Sequence, residues 1–147
     1  MKWQQTPSGI YCLALERGDS IRECVEHFAD IHDIHGATVT GIGAVQDPEL
    51  GYYYLSNGPL HHEYKKQEFK AVFELLSLQG NISLRGGKPF LHAHVTLGTP
   101  EFLVFGGHLF DAKVGVVVEI FLTPLGCALN REGNTDVGLA VWSCPST

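Results

Sequence analysis

Two histidines, His92 and His94, stand one residue apart in the apolar segment PFLHAHVTLG at residues 89–98. If this segment is a β-strand, alternate side chains point to the same face, so both imidazoles share one face and the apolar side chains take the other. Two imidazoles held side by side can bind a divalent metal ion. The alternative is a structural role in which the histidines satisfy one another through water.

A third histidine, His108, follows in the segment FGGHLF, after a turn around Pro100. A hairpin centred there pairs residues whose numbers sum to about 200, which places His108 opposite His92 and Gly106 opposite His94. We expect the missing side chain of Gly106 to leave space beside His94 for an ion or a ligand. The same register predicts a core face made of Leu91, Ala93, Val95, Leu103, Phe105 and Leu109.

Three neutral imidazoles with an open fourth position suit Zn²⁺, and they also accept Ni²⁺, Co²⁺ or Fe²⁺. Such a metal lowers the pKa of a bound water to about 7 or polarises a carbonyl group. The sequence therefore predicts a divalent metal, zinc first, on His92, His94 and His108. Groups predicted to orient an imidazole or to act as a base lie on neighbouring strands: Glu74, Asn81 and Glu119.

A second region rich in potential ligands lies near the end of a predicted helix. Its spacing turns the side chains toward solvent on a polar face, and we therefore do not predict a metal site there. The residues of this region are His27, Asp30, His32, Asp33 and His35.

The N-terminal part predicts one strand and one helix. The strand is predicted at residues 10–15, and Asp19 stands where an N-cap residue would begin the helix. Apolar residues at helical spacing then form a single stripe, and the helix is predicted to end near residues 35–36. The stripe consists of Ile21, Cys24, Val25, Phe28 and Ile31.

After the helix the pattern changes to short runs typical of β-strands, with strong turn signals at residues 47–48 and 56–59. We therefore predict an α+β fold with one main helix packed on a curled, mostly antiparallel sheet. The glycine-rich segment at 41–43 lacks the full dinucleotide-binding pattern and is interpreted as a bulge or a close backbone approach. Strands are predicted at 37–45, 51–55, 63–69, 71–83, 89–97, 102–110, 114–122 and 137–142, with a surface loop at 130–134.

The length and composition of the chain predict a single domain over residues 1–147, with a core at about 10–122 and a C-terminal loop and strand at 123–147. The formal charge is −6, and no concentrated basic face is visible, which argues against strong nucleic-acid binding. The four cysteines are scattered, which predicts a reduced, cytoplasmic protein. No apolar run approaches the ~20 residues of a membrane helix.

Four segments together resemble the plant and prokaryote conserved (PPC) domain family: VTGIGA at 39–44, FELLSLQGNI at 73–82, LHAHV at 91–95 and FGGHL at 105–109. The resemblance implies an α+β fold that assembles as a homotrimer. It also implies a histidine metal site near the subunit boundaries, with His92, His94 and His108 as ligands.

The family is commonly labelled DNA-binding, and its plant members carry AT-hook segments. This chain contains no Arg-Gly-Arg-Pro sequence of that kind. The first hypothesis is therefore a trimeric metal-binding protein, with DNA as a weakly supported partner. The alternative is a metal-dependent enzyme, of hydrolase or lyase type, that acts on a small molecule.

Overall fold

The computed structural model describes residues 1–55 and 62–143, and only the backbone is described at Leu55 and His62. Within these residues the chain forms one helix and nine strands, so the predicted α+β class is confirmed. The elements are β1 (Lys2–Gln5), β2 (Tyr11–Glu16), α1 (Ile21–Ile31), β3 (Ala37–Leu55), β4 (His62–Glu68), β5 (Val72–Arg85), β6 (Lys88–Gly98), β7 (Val104–Pro124), β8 (Asn130–Asn134) and β9 (Leu139–Trp142).

The nine strands belong to one sheet with the order β1-β2-β7-β3-β5-β8-β9, in which β4 pairs with β3 and β6 pairs with both β5 and β7. Every pairing between these strands is antiparallel except β5 with β8. Strands β3, β5, β6 and β7 pair in a closed circuit. The sheet is therefore curled on itself, as predicted, because a closed circuit requires strong curvature.

The helix begins after Ser20, and not after Asp19 as the sequence predicted. The Ser20 hydroxyl accepts a hydrogen bond of 3.1 Å from the backbone N–H of Glu23. Asp19 instead closes the preceding turn, where its carboxylate accepts from the backbone N–H of Glu16 at 2.9 Å. Both residue types are good N-caps, and Ser20 takes the role because it directly precedes the first helical residue.

One face of α1 is buried against the sheet, and its buried residues are Ile21, Val25, Phe28 and Ala29. Ile31, predicted to extend the stripe, is 60% exposed. The helix ends at this residue, earlier than the predicted end near 35–36. Two positions later Asp33 has a φ of 55°, a left-handed conformation that a continuing helix does not allow.

Strands β3 and β7 are each continuous where the sequence predicted two separate strands. The predicted turn at residues 47–48 is a bulge inside β3, where the register with β7 shifts between Gln46 and Glu49. Asp47 has a φ of 49° there, and the carbonyl of Pro48 accepts from the N–H of Phe69. A proline is tolerated at a bulge because the ladder needs no donor from it. The predicted turn at 56–59 lies outside the described residues.

The glycine-rich segment is the predicted close approach. Gly43 has a φ of 146°, and a Cβ built on it would lie 2.2 Å from the carbonyl oxygen of Val117. The pairing of β3 with β5 shifts register between Gly41 and Gly43. A glycine is needed because any side chain would collide with the neighbouring strand.

The two ends of the chain add strands to the same sheet. Strand β1 was not predicted, and the segment predicted as a surface loop at 130–134 is strand β8. This second expectation was wrong because one partner of β8, the end of β5, lies in a distant part of the chain. It runs parallel to the end of β5, with Leu84 beside Asn130, and antiparallel to β9.

The inner face of the sheet carries most of the predicted core. Leu91, Ala93, Val95 and Leu109 are each at most 5% exposed. Leu103, which we had placed on this face, is 67% exposed because it precedes the first residue of β7. No helix in the described part of the chain has the length and apolar character needed to span a membrane.

Candidate metal centre

The three histidines lie where β6 and β7 begin to separate. His94 pairs with His108 at the end of the β6–β7 ladder. The sequence had paired His92 with His108, so the predicted register was wrong by two residues. The predicted face was nevertheless right, because a shift of two residues preserves the alternation of side chains along a strand.

Gly106 has a different role from the one we predicted. It pairs with Thr96 rather than with His94. A Cβ at this position would lie 2.2 Å from the carbonyl oxygen of Val95. The glycine therefore allows the two strands to approach each other and does not create space beside His94.

Helix α1 packs beside the gap that opens past the last rung of this ladder. The backbone N–H of Leu91 donates a hydrogen bond of 2.9 Å to the carboxylate of Glu26 on the helix. On the facing strand, the carboxylate of Asp111 accepts from the hydroxyl of Ser20 at 2.7 Å. These side chains satisfy polar groups where β6 and β7 have separated, and a cavity remains between the strands.

The three imidazoles converge on one point. Their ring centroids are 5.2 to 5.5 Å apart. One ring nitrogen from each lies within 4.8 Å of the others, and no other such group of potential ligands occurs in the described residues. Tetrahedral zinc with Zn–N bonds of 2.0–2.1 Å needs nitrogens about 3.4 Å apart, so modest ring rotations would suffice.

Two of the three histidines are uncharged at neutral pH. Burial, with smaller contributions from the nearby Arg131 and His94, lowers the pKa of His92 to about 4. Burial also lowers the pKa of His108 to about 4, with smaller contributions from His92 and His94. Both rings are therefore neutral at pH 7, and a metal need not displace a proton from an imidazolium.

A divalent metal fits this centre. The Nδ1 atom of His108 is buried and has no hydrogen-bond partner among the described residues. A buried polar atom without a partner is costly, and a bound cation would satisfy it. A set of three nitrogen donors suits zinc and the neighbouring transition metals.

Arg131, a residue that the sequence analysis missed, contacts the centre. One of its terminal nitrogens lies 3.1 Å from the Nδ1 atom of His92 and 3.1 Å from the side-chain oxygen of Asn81. A guanidinium can only donate, so Nδ1 of His92 accepts and its neutral ring carries the proton on Nε2. Asn81, predicted to orient an imidazole or to act as a base, is therefore linked to His92 through Arg131. Nothing local in the sequence marked Arg131, because it lies in the segment predicted to be a loop.

The two glutamates that were predicted with Asn81 lie elsewhere. Glu74 is exposed, pairs with Gly98 and lines a groove that also contains Phe102. Glu119 is exposed and lines a separate groove beside Trp3. The structure thus brings Asn81 to the histidines, but it places neither glutamate in their cavity.

Aromatic rings pack beside His108. The ring of Tyr64 lies 5.2 Å and that of Phe110 lies 4.8 Å from its imidazole, measured between centroids. Gly51 makes this packing possible, since a Cβ there would lie 2.5 Å from the Phe110 ring and 2.9 Å from that of Tyr64. These rings help to remove His108 from water, which is the main cause of its lowered pKa.

The residues near the end of α1 are arranged differently. His27, Asp30, Asp33 and His35 are exposed, as predicted for a polar face, and His35 contacts Asp33 at 3.1 Å. His32 departs from that expectation, because its ring packs among aromatic rings. The distances between centroids are 4.2 Å to Phe28, 4.7 Å to Trp3 and 5.3 Å to Tyr11.

Comparison with known families gives a match to the model of the Plants and Prokaryotes Conserved (PCC) domain over residues 4–126. The chain belongs to this family. The resemblance found in the sequence motifs is therefore confirmed, and the match includes the last two residues of β1 and extends to residue 126. Comparison with the curated proteins found no match.

Three solved structures of similar proteins agree with this assignment. A plant- and prokaryote-conserved protein from Pyrococcus horikoshii is 36% identical, with 99% of this chain and 97% of that chain covered and a TM-score of 0.82. A metal-containing protein from Archaeoglobus fulgidus is 35% identical, with coverage of 97% and 99% and a TM-score of 0.82. A protein from Ralstonia eutropha, described as a proposed DNA-binding protein, is 28% identical, with coverage of 98% and 96% and a TM-score of 0.87.

Proposed function

We propose that this PCC-domain protein is a homotrimeric metal-binding protein that holds one divalent ion on His92, His94 and His108. The observation that carries the proposal is the convergence of three imidazoles, one of which has a buried nitrogen without a partner among the described residues. The similar protein from Archaeoglobus fulgidus, described as metal-containing, adds support. Zinc is the favoured ion because it accepts three nitrogen donors and keeps a fourth position open.

The second candidate function is that of a metal-dependent enzyme, a hydrolase or lyase acting on a small molecule. A cavity of about 380 Å³ adjoins His92 and His108. A bound zinc ion would polarise a substrate oxygen or lower the pKa of water. His94 lies on the exposed side of the centre, so that side is open to an entering molecule.

The homotrimer is supported by apolar side chains on the surface. Phe102 is 93% exposed. Monomeric proteins rarely expose large contiguous apolar patches, and a second copy of the chain would cover this one. Its other exposed members, which lie near the turn between β6 and β7 and on the first part of β5, are Val72, Leu76, Leu103 and Val104.

DNA has less support as a partner of this chain. The formal charge of −6 opposes association with phosphates, and assembly into a trimer would multiply it. A titration with duplex DNA over a series of salt concentrations tests this, because real phosphate contacts make the affinity fall steeply with salt. Absence of binding at low salt would remove DNA from the proposed function.

A reduced, cytoplasmic setting remains part of the proposal. The described cysteines, Cys12, Cys24 and Cys127, are free thiols. Free thiols are typical of compartments that keep cysteines reduced. Fractionation of cells that express the untagged protein would test this, and recovery outside the cytoplasm would contradict it.

Metal analysis of protein purified without a histidine tag tests the main proposal. We expect about one ion per chain, and an anomalous-scattering map should place it at the three imidazoles. Protein that folds but neither retains nor takes up zinc would contradict the proposal. For the enzyme candidate, wild type and His94→Ala should be compared on hydrolysable small substrates, and equal turnover by both would exclude it.

The homotrimer is tested by sedimentation velocity. We expect a species of three 16.1 kDa chains for the wild type and a smaller species for Phe102→Ser. The substitution Phe121→Ser, at another exposed apolar side chain outside this patch, is the matched control. A wild-type protein that stays monomeric at micromolar concentration would contradict the assembly.

A further inference from the structure

We propose that the cavity beside the histidines binds a small anionic molecule, whose carboxylate or phosphate group is held by Arg85 and Arg131. This names the ligand class of the centre described above, and in that respect it rests on the proposed function. The cavity, the arginines and their missing partners carry the inference, and they are present whether or not a metal is bound.

Three arginines from separate elements meet at one aromatic ring. The guanidinium carbons of Arg22, Arg85 and Arg131 lie 5.4, 4.4 and 5.7 Å from the centroid of the Phe90 ring. These residues belong to α1, β5 and β8, so no single local motif brings them together. Three like charges around one ring repel one another, and a bound anion would offset that repulsion.

Of these three, Arg22 alone has an acidic partner among the described residues, since its Nε donates to the carboxylate of Glu26 at 3.0 Å. Arg85 forms no ion pair with a carboxylate among the described residues, and Arg131 forms none either. The hydrogen-bond acceptors of Arg131 are uncharged protein groups, namely Ser83 Oγ at 2.7 Å, Asn81 Oδ1 at 3.1 Å and the carbonyl oxygen of Ala140 at 3.1 Å, besides the ring of His92. Two uncompensated positive charges therefore face one cavity in a chain whose formal charge is −6.

The opposite wall already has its charge balanced. Lys66 lies 3.8 Å from the centroid of the Phe110 ring, and its ammonium group pairs with Glu49 at 3.4 Å. The positive charge available to a ligand is thus concentrated on the Arg85 and Arg131 side. A planar guanidinium matches the two oxygens of a carboxylate or a phosphate, which favours an oxyanion over a halide ion.

The cavity also has an apolar part and a connection to the histidines. Its volume of about 380 Å³ suits a small molecule, and Phe90, Leu139 and Val141 provide apolar surface for a short carbon skeleton. Arg131 lies 3.1 Å from the Nδ1 atom of His92. An anion on Arg131 would therefore lie next to the histidine centre, where a second oxygen of the same molecule could reach a bound ion.

Calorimetric titration of the purified full-length protein, of measured metal content, tests the inference. The two probes are inorganic phosphate and malonate, and the one that binds more tightly identifies the ligand class. We expect saturable binding of at least one probe and a loss of about tenfold or more for Arg85→Gln, since a bond to a charged group is removed. The anion affinity of Arg85→Lys should lie between those of the wild type and Arg85→Gln, because lysine keeps the charge but lacks the planar guanidinium.

Arg17→Gln is the matched control, since Arg17 is an exposed arginine in the turn before α1, and we expect no change in anion affinity. If Arg85→Gln proves unstable in a thermal melt, Arg131→Gln replaces it and should lose at least as much affinity. Failure of both probes to saturate, or equal affinity for wild type and Arg85→Gln, overturns the inference. A fall in oligomeric mass for Arg85→Gln without anion binding also overturns it, because Arg85 then meets another copy of the chain. A wild type that binds an anion through Arg85 but neither retains nor takes up zinc contradicts the metal proposal alone.

Discussion

The end of α1 and the β6–β7 hairpin both carry several potential metal ligands, and they differ in what the backbone does with them. The helix end has five such residues within nine positions, from His27 to His35. The hairpin and its strands supply three histidines. Only the latter bring three ligand atoms within 4.8 Å among the described residues.

The difference follows from the geometry of each element. Past the helix end the chain turns at Asp33, and the polar side chains there spread over an exposed surface. His32 turns instead into an aromatic cluster with Trp3 and Phe28. On paired strands alternate side chains share a face, and the pairing adds a third residue to that face. Ligand-type residues thus form a centre when two backbone segments fix their separation.

The largest expected effect is the difference in zinc affinity between a substitution in the hairpin and one at the helix end. We expect His108→Ala to weaken zinc binding by more than about 100-fold, beyond the 10–100-fold typical for loss of an outer-shell partner. His27→Ala, in the helix-end region, should leave the affinity unchanged. Competition titrations against a zinc chelator measure both variants, and equal losses would show that the hairpin is not the centre.

The pH dependence of stability provides the next test, on metal-free protein. His92 and His108 have pKa values of about 4 in the folded state, against an ordinary value of 6.5. Between these values the unfolded chain binds the additional protons, so stability is retained above pH 6.5 and falls as the pH drops toward 4. Because both rings are partly exposed, we expect about 1 kcal/mol per ring after allowance for solvent screening.

Urea unfolding in the presence of a chelator, at pH 7 and at pH 5, measures this loss. The double variant His92→Gln/His108→Gln is the control, and it should lose much less stability over the same interval. A variant that is as sensitive to pH as the wild type would show that other groups cause the effect.

His32→Ala should affect stability and leave metal binding unchanged. The substitution removes ring contacts to Phe28 at 4.2 Å and to Trp3 at 4.7 Å. We expect a loss of about 1 to 2 kcal/mol in the free energy of unfolding, as for other aromatic contacts. Chemical unfolding measures the loss, and a weakened zinc affinity in a folded His32→Ala protein would contradict the contrast between the two regions.

The smallest expected effect is the change in zinc affinity when the hydrogen bond between Arg131 and His92 is removed. A cation beside the centre repels a bound metal, and its donor occupies a histidine nitrogen. We expect Arg131→Gln to tighten zinc binding about three- to tenfold in buffer without phosphate or carboxylates. Arg17→Gln, remote from the cavity, should have no effect. Weaker zinc binding by Arg131→Gln would instead indicate that Arg131 holds His92 in position.

The sequence predicted the features of the hairpin that depend on alternation. The shared face of His92, His94 and His108 was correct even though the register was wrong by two residues. The turn length was the weak point, since Leu103 belongs to the turn and not to the strand. Residues 47–48 were predicted as a turn but form a bulge within β3. A bulge and a turn use the same residue types, so the sequence pattern does not distinguish them.

Local pattern alone thus determined the fold class, the single helix with its buried stripe, and the three histidines as a group. These features depend on periodicity and on residue type, which are local properties of the sequence. The tertiary structure decided the pairing of β8 with β5, the contact of Arg131 with His92, and the meeting of three arginines at Phe90. Segments far apart along the chain come together there, and their proximity depends on how the sheet curls, which no local pattern records.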